Sequence, residues 1–410
     1  MLLSRILFCF IAFTVPLAAA SKKDDETAIK LSKNCTDFGL SLYSTLNKSA
    51  STNIIFSPYS IFSCLSMVYI GARDVTATEM QTALKLTFKR PELSKAALAL
   101  SSSLASSGDG SYTFDMANGL WLDRDSFVLS DYRHAIEDGF QAKVQSLDFA
   151  QTEQAISIIN EWTSNQTHGE IPKLLEEGDI DGSTRVVLTN ALYFKGNWQK
   201  PFDPKNTADS SFYLAEGSSV KTKMMKQNST LPYFENESFQ LLALPFVKKE
   251  GAAAPACLIL LPKKGVALSD CEQDLTSDAL RGWIEGLKPQ NLQIKLPKFT
   301  LDRRYDLNNM LKALGIQNAF TDAADFSGID GMRDLFLSKV VHESFFALDE
   351  MGVTAAAATS ASMNLTATPP SQPPVAFVAD RPFLFLLVDL KTKLPLFLGK
   401  LQDPSIGQSE

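Results

Sequence analysis

The first part of the chain shows the spacing of an amphipathic helix. Apolar residues recur three or four positions apart, which predicts a helix with one buried face. They are Leu31, Cys35, Phe38, Leu42 and Leu46.

A short strand and a buried helix are predicted next. Residues 53–56 are apolar enough for a strand, and Ser57 and Pro58 then suit a helix N-terminus, with serine as the cap and proline at the first helical position. The helix that follows is apolar nearly all round and ends at Gly71. Such a helix is buried on all sides.

Helices and loops are predicted between residues 72 and 184. Thr76 and Glu79 have the spacing of a capping box, which would begin a further helix. Residues 101–111 are rich in Ser and Gly and are predicted to form a loop.

Strands dominate from residue 184 onward. In one of them Leu292, Ile294 and Leu296 alternate with Gln293 and Lys295, so one face is expected to meet water. Helices in the first half and strands in the second predict an α+β fold with helices packed on large, mostly antiparallel sheets. The predicted strands are 184–194, 239–247, 257–261, 292–299, 336–348, 383–389 and 394–401.

A long segment, residues 353–380, breaks this pattern. It starts as VTAAAATSAS, ends in a proline-rich stretch, and has no charge, proline or bulky aromatic residue from 353 to 368. More than 20 residues without regular structure inside a compact domain are usually functional. A linker is the alternative, but the apolar residues after 380 are too few for a second domain and are predicted as core strands.

Alternate positions of this segment would form two faces in an extended conformation. One face is small and mostly apolar, so the segment is able to enter a sheet as an extra strand with that face on the core. By composition alone a plain surface loop explains the segment equally well. The apolar face consists of Val353, Ala355, Ala357, Thr359, Ala361 and Met363.

The N-terminus predicts secretion. Residues 1–20 carry one cation, Arg5, then an apolar run and three small residues, which is the order of a signal peptide. The mature chain, residues 21–410, is then expected as one secreted, extracellular domain. Six sequons are compatible with a glycoprotein: Asn34, Asn47, Asn165, Asn228, Asn236 and Asn364.

Charge and cysteine content exclude several classes of protein. A net charge of −7 argues against nucleic acid as a partner, and Lys89 with Arg90 are too few for a heparin site. No later run is long and apolar enough to span a membrane. The four cysteines beyond Cys9 are too scattered for a disulfide scaffold; they are Cys35, Cys64, Cys257 and Cys271.

No motif predicts an enzyme, a metal site or a cofactor. The three histidines, His134, His168 and His342, do not belong to a metalloprotease motif, and neither a nucleophile elbow nor a P-loop is present. Asp179 and Asp181 lack the spacing of a calcium loop.

Five spaced motifs, in order, resemble the serpin family over essentially the whole mature chain. Each is weak alone, but their order over this length is specific to that family. They are NIIFSPYSI at 53–61, NEW with THGEI at 160–171, TNALYFKGNW at 189–198, FVADRPFLF at 377–385 and PLFLGK at 395–400.

The resemblance implies a serpin fold of about nine helices on three sheets, with residues 353–380 as an exposed reactive-centre loop. It assigns Ser57, Ser60, Asn190 and His342 to the shutter region and Trp198 to the place where the loop first inserts. The implied hinge is Glu350, Gly352, Val353, Thr354, Ala355, Ala356, Ala357, Ala358 and Thr359.

Three hinge positions depart from the inhibitory pattern of the family. Inhibitory members usually have Glu where this chain has Met351, Thr or Ser at Val353, and Glu at Thr354. The small, uncharged residues that follow support the inhibitory interpretation, because a buried unpaired charge would oppose insertion.

Counting from Glu350 as in inhibitory relatives places the scissile bond at Thr366-Ala367, with Leu365-Thr366 as the alternative. Asn364 belongs to a sequon two residues before that bond. Residues 353–380 contain no Lys or Arg, so a trypsin-like pocket has no cation to bind. Elastase-like or chymotrypsin-like proteases are therefore the expected targets.

The implied function is suicide inhibition. A serine protease forms an acyl-enzyme with the loop, and the hinge then inserts as a new strand and traps the protease covalently. The chain itself would act as a monomer, without catalytic groups, metal or cofactor. The alternative is a non-inhibitory serpin that acts as a carrier, chaperone or storage protein.

Overall fold

The computed structural model describes residues 22–49, 52–104, 112–124, 126–248, 255–353 and 373–406. The predicted signal peptide, residues 1–20, and residues 354–372 of the predicted loop therefore lie outside the described residues. The described helices are α1 Lys22–Ser49, α2 Pro58–Gly71, α3 Asp74–Ala83, α4 Arg90–Leu104, α5 Ser130–Phe140, α6 Thr152–Gln166, α7 Leu268–Gln273, α8 Ser277–Glu285, α9 Asn308–Ala313 and α10 Ser327–Asp330. Two 3-10 turns, Pro204–Asn206 and Asn318–Phe320, complete the helical elements.

Most of the described strands lie in the second half of the chain, although three of them precede residue 150. The strands are β1 Ile54–Phe56, β2 Tyr112–Asp123, β3 Lys143–Leu147, β4 Val186–Asn197, β5 Ala208–Tyr213, β6 Ser219–Glu235, β7 Phe239–Pro245, β8 Pro255–Pro262, β9 Lys288–Pro297, β10 Phe299–Asp306, β11 Leu337–Leu348, β12 Gly352–Val353, β13 Val375–Val378, β14 Phe383–Asp389 and β15 Leu394–Leu401.

The central sheet has the order β10-β11-β12-β4-β2-β3. Its middle strands, β4 and β11, pair in parallel with each other from Val186 to Leu192 and from Leu337 to Ser344. The two-residue strand β12 lies between them at one end only. The central sheet is thus closed along most of this seam and opened at one end.

The remaining strands form a second hydrogen-bonded network, β1-β15-β14-β8-β7-β6-β9-β13, with β5 on β6. Strand β6 joins its two parts, because β6 pairs with β9 along most of its length and with β7 through Tyr233, Phe234 and Glu235. Divided at this narrow junction, the described strands form the three sheets of the expected fold.

Helix α2 lies at the centre of the molecule. Every residue except Ile70 is buried, and the Ser57 hydroxyl caps the helix by accepting a hydrogen bond from the Ser60 N–H at 3.1 Å. Pro58 occupies the first turn, where its missing N–H costs nothing. The predicted buried helix is confirmed, together with the strand before it and the α+β class.

Two predictions from the pattern were wrong. Residues 112–123 and 143–147, expected to be helical or loop, form β2 and β3 of the central sheet. Residues 101–104, expected in a loop, end helix α4.

The capping box at Thr76 and Glu79 was also wrong. Helix α3 begins earlier, at Asp74, and these side chains bind another part of the chain instead. Thr76 donates to Asn318 Oδ1 at 2.6 Å, and Glu79 Oε2 accepts the N–H groups of Gln317 and Asn318. The two residues therefore fix the turn Asn318–Phe320 to α3.

Candidate functional site: the hinge, the shutter and the loop anchors

The first residues of the predicted hinge lie in the central sheet. Val353 is opposite Leu348 of β11 and Gly196 of β4, and its side chain is 1% exposed. A Cβ atom on Gly352 would lie 1.9 Å from the Gly196 carbonyl oxygen, so only glycine allows this close approach. The chain thus enters the sheet at Gly352 and Val353, beyond which residues 354–372 are outside the described residues.

Trp198 holds the turn that leads into β12. Its indole Nε1 donates to the Asp349 carbonyl at 2.9 Å, and its backbone N–H donates to the Met351 carbonyl at 2.8 Å. The ring stacks on Phe246 with centroids 4.6 Å apart. Asp349 Oδ1 accepts the N–H groups of Met351 and Gly352, which tightens the same turn.

Glu350 is fixed by three contacts. Its carboxylate accepts from the Thr207 hydroxyl at 2.9 Å and pairs with Lys298 at 3.0 Å, and its carbonyl accepts from the Phe202 N–H at 2.8 Å. Burial alone would raise the pKa of Glu350, but the hydrogen bond and charge of Lys298 outweigh it and the pKa is lowered. Glu350 is therefore a charged anchor that ties the start of the hinge to the second network.

The shutter cluster consists of buried polar side chains where α2 meets the seam between β4 and β11. His342 on β11 lies opposite Asn190 on β4, and His342 Nδ1 is 2.6 Å from Asn190 Oδ1. His342 Nε2 receives the Ser57 N–H at 3.0 Å and lies 2.7 Å from the Ser344 hydroxyl. An amide oxygen accepts and a backbone N–H donates, so Nδ1 carries the proton and Nε2 accepts.

Burial lowers the pKa of His342 to about 3, although a hydrogen bond with the Asn190 backbone partly opposes the shift. The imidazole is therefore neutral at physiological pH, as the hydrogen-bond pattern requires. Because both its nitrogens have partners, the ring has no free site for a ligand or metal.

Sequence reasoning missed two members of this cluster. Asn118 on β2 accepts from Asn190 Nδ2 at 2.6 Å, and Ser344 is two residues beyond His342. Both are buried. Only Asn118 offered a signal, as a polar residue between apolar ones, since buried polar groups require partners; Ser344 follows two other polar residues and offered none. Ser60 completes the cluster with a long hydrogen bond to the Ala191 carbonyl.

The order Ser344, His342, Asn190 imitates a nucleophile, base and orienting group. All three are at most 1% exposed, so no substrate reaches them. No group of three or more metal-ligating side chains occurs among the described residues. None of the helices in those residues is long and apolar enough to cross a membrane.

The rest of the predicted hinge and the bait lie outside the described residues. The predicted hinge and bait residues outside the described part are Thr354, Ala355, Ala356, Ala357, Ala358, Thr359, Asn364, Leu365, Thr366 and Ala367. The described chain resumes before β13, which pairs in parallel with β9 from Val375 to Val378.

The described sequons differ in access. Asn34 is 5% exposed and its Oδ1 accepts from Thr87, while Asn47 binds Glu272 and Lys400 through its amide. Asn236 Oδ1 caps the turn before β7. The exposed sequon residues in the described part of the chain are Asn165 and Asn228.

Comparison with known proteins identifies the family. The model for "Serpin (serine protease inhibitor)" matches residues 33–404. The leukocyte elastase inhibitor of Bos taurus is 36% identical over 92% of this chain and 100% of its own length.

Solved structures agree with this match. Serpin48 of the insect Tenebrio molitor, described as highly specific, has a TM-score of 0.79 at 29% identity, covering 94% of this chain and all of its own. Human thyroxine-binding globulin in complex with its ligand has a TM-score of 0.82 at 28% identity, covering 92% of this chain and 99% of its own.

Proposed function

Since the chain belongs to the serpin family, we propose that it is a secreted suicide inhibitor of serine proteases. The protease serine attacks the carbonyl carbon of the scissile residue, the peptide C–N bond breaks, and the new amine leaves with the proton that the protease histidine supplies. An ester joins inhibitor and protease. Insertion of the freed hinge then distorts the protease before water hydrolyses that ester.

The observation that carries the proposal is the position of Gly352 and Val353 between β4 and β11. The two residues already occupy the place of a new strand. Val353 is buried on the core side, so in a continuing strand every second residue after it would face the same side. These residues are Ala355, Ala357, Thr359, Ala361 and Met363, which are small or uncharged.

Insertion requires β4 and β11 to separate along the part of their seam that β12 does not occupy. There β4 and β11 are paired directly, and the His342–Asn190 hydrogen bond crosses the seam. The shutter cluster therefore opposes insertion of the loop between β4 and β11 until cleavage frees the hinge end of the loop.

The expected targets are elastase-like or chymotrypsin-like proteases that accept Thr366 or Leu365. The absence of Lys and Arg from 353 to 380 supports this, and a relative is named as an inhibitor of leukocyte elastase. The scissile bond at Thr366-Ala367 rests on counting from Glu350.

Incubation of the mature chain with both classes of protease tests the proposal. We expect a covalent complex that survives denaturing electrophoresis, and mass spectrometry of the released C-terminal fragment should show Ala367 or Thr366 at its start. Cleavage of the loop without any complex would instead favour the non-inhibitory alternative, a carrier such as the thyroxine-binding neighbour.

Secretion has its own test. Expression in a secretory host should release a chain that begins near Ser21, detected by N-terminal sequencing. A chain that keeps residues 1–20 and stays inside the cell would contradict the predicted signal peptide.

A further inference from the structure

A basic cavity of about 470 Å³ lies on the second network, between the turn Pro204–Asn206 and strands β6 and β9. Three lysines and four residues with side-chain amides contribute to its wall. They are Lys205, Lys226 and Lys295 with Asn206, Gln227, Asn228 and Gln293.

Two of these lysines form an unfavourable pair. Lys226 of β6 lies directly opposite Lys295 of β9, and Asn228 lies opposite Gln293 one step along the same face. Like charges opposite each other destabilise an antiparallel pair. Among the described residues neither lysine nor Lys205 has an ion-pair partner, whereas nearby Lys223 pairs with Asp209 at 2.9 Å.

The surrounding segments are basic in an acidic protein. Residues 199–230 and 288–298 together contain eight lysines and three acidic residues, although the whole chain has a net charge of −7. This unequal distribution concentrates a positive potential where the three lysines converge, and such a potential attracts acidic partners.

The lysines lie beside both anchors of the reactive-centre loop. Strand β13, which follows the loop, pairs with β9 so that Val378 is opposite Lys295 and Ala376 opposite Gln293. At the other anchor Thr207, between Asn206 and Ala208 of the cavity, donates to Glu350. A protease that holds the loop in its active site would therefore stand over this face.

We propose that Lys205, Lys226 and Lys295, the lysine face, bind an acidic patch on the protease that is docked at the loop and so select among proteases of similar pocket specificity. This inference rests on the proposed function. A long polyanion fits less well, because the face is small and the rest of the molecule is acidic.

Rates of inhibition test the lysine face. The variant K226E/K295E is compared with K85E/K173E, which makes the same change of charge at exposed lysines outside the cavity. With a protease of net negative charge, we expect K226E/K295E to associate roughly tenfold more slowly at low salt, and the difference to shrink as salt screens it. With a protease of net positive charge the same variant should not be slower.

Equal rates for K226E/K295E, K85E/K173E and the parent chain would overturn the inference. So would mass spectrometry of the secreted chain that shows a glycan on every Asn228, because the glycan would cover the face.

A second experiment does not depend on whether the chain traps a protease. Fluorescence anisotropy should show a labelled hexaglutamate peptide binding the parent chain and K85E/K173E, but at least about tenfold more weakly to K226E/K295E. If no protease is trapped, the proposed function fails and this peptide alone decides whether the face binds acidic protein segments. Equal peptide binding by all three chains would contradict the inference. With heparin as a second probe, a K226E/K295E variant that loses binding of heparin but not of the peptide would contradict it as well.

Discussion

Glu343 and His342 are neighbours on β11 whose protonation affects the stability of the fold in opposite directions. His342 faces the shutter cluster, and its lowered pKa means that the native state resists protonation. Glu343 shares a face with Asp302 and Arg304 of β10, and burial, then the Asp302 charge, raises its pKa from 4.5 to about 7. One Glu343 oxygen is buried with no hydrogen-bond partner among the described residues.

The sign of each contribution follows from proton linkage. Between about pH 3 and 6.5 the unfolded chain binds a proton at His342 that the native state does not, so stability from this group rises with pH. Between pH 4.5 and about 7 the native state binds a proton at Glu343 that the unfolded chain does not, so stability from this group falls as pH rises.

Replacement of Glu343 by Gln should therefore stabilise the protein more at pH 8 than at pH 5. The His342 contribution is the same in both chains and cancels in the difference. Thermal unfolding of the parent chain, E343Q and the exposed control E285Q between pH 5 and 8 measures this difference in stability. A difference between E343Q and the parent that does not change with pH would show that Glu343 titrates normally.

Some residues of the site were predictable and others were not. Ser57, Ser60, Asn190 and Trp198 came from family motifs and His342 from the overall resemblance. The structure brings four of these five together in the shutter cluster, with Trp198 at the end of the seam. Asn118, Ser344 and Glu343 carry no local motif. Their importance depends on cross-strand partners far away in sequence, and spacing along one strand does not reveal such partners.

At the scale of elements, the start of the predicted hinge forms the two-residue strand β12. Two residues are paired on both sides, and the seam beyond them is closed by direct pairing of β4 with β11. Alternation of small residues in 353–363 predicts an inserting strand, of which only Val353 lies within the described residues. The point where the chain enters the sheet could not be predicted, because it depends on the close approach of Gly352 to Gly196.

A pair of arginine variants tests which side of this strand is buried after cleavage. Ala357 is on the same side as Val353 in the continuing strand, whereas Ala358 is on the other. We expect A357R to be cut as a substrate with little covalent complex, since burial of its charge costs several kcal/mol. A358R should still trap the protease, and the ratio of complex to cleaved inhibitor on denaturing gels measures both. Equal trapping by the two variants would exclude the proposed register.

Strand β2 shows why one element escaped prediction. Its second half is buried continuously from Ala117 to Leu122, so the apolar and polar alternation of a half-exposed strand is missing. Asn118 and Gly119 further interrupt the apolar run. Pairing with all of β4 determines the strand, and that pairing joins residues about 70 positions apart.

On the scale of the whole molecule, the proposed trapping mechanism requires a native state that is not the most stable one. At one end of the seam β12 lies between β4 and β11, and in the proposed mechanism the residues after Val353 continue this strand once the loop is cut. In that mechanism the shutter cluster and the direct β4–β11 pairing separate the native state from the inserted one. A protein of this kind would be trapped kinetically and would release free energy when the loop inserts.

Thermal unfolding before and after a single cut in the loop tests this claim most directly. A metalloprotease, which forms no acyl-enzyme and so cannot be trapped as an ester, cuts the loop in catalytic amount, and calorimetry then compares the cut and intact chains. Insertion of a new strand should raise the unfolding temperature by more than about 10 °C, which corresponds to roughly 10 kcal/mol, since each kcal/mol is worth about 1 °C in a domain of this size. A cut chain that unfolds at or below the temperature of the intact chain would contradict loop insertion, and with it the trapping mechanism.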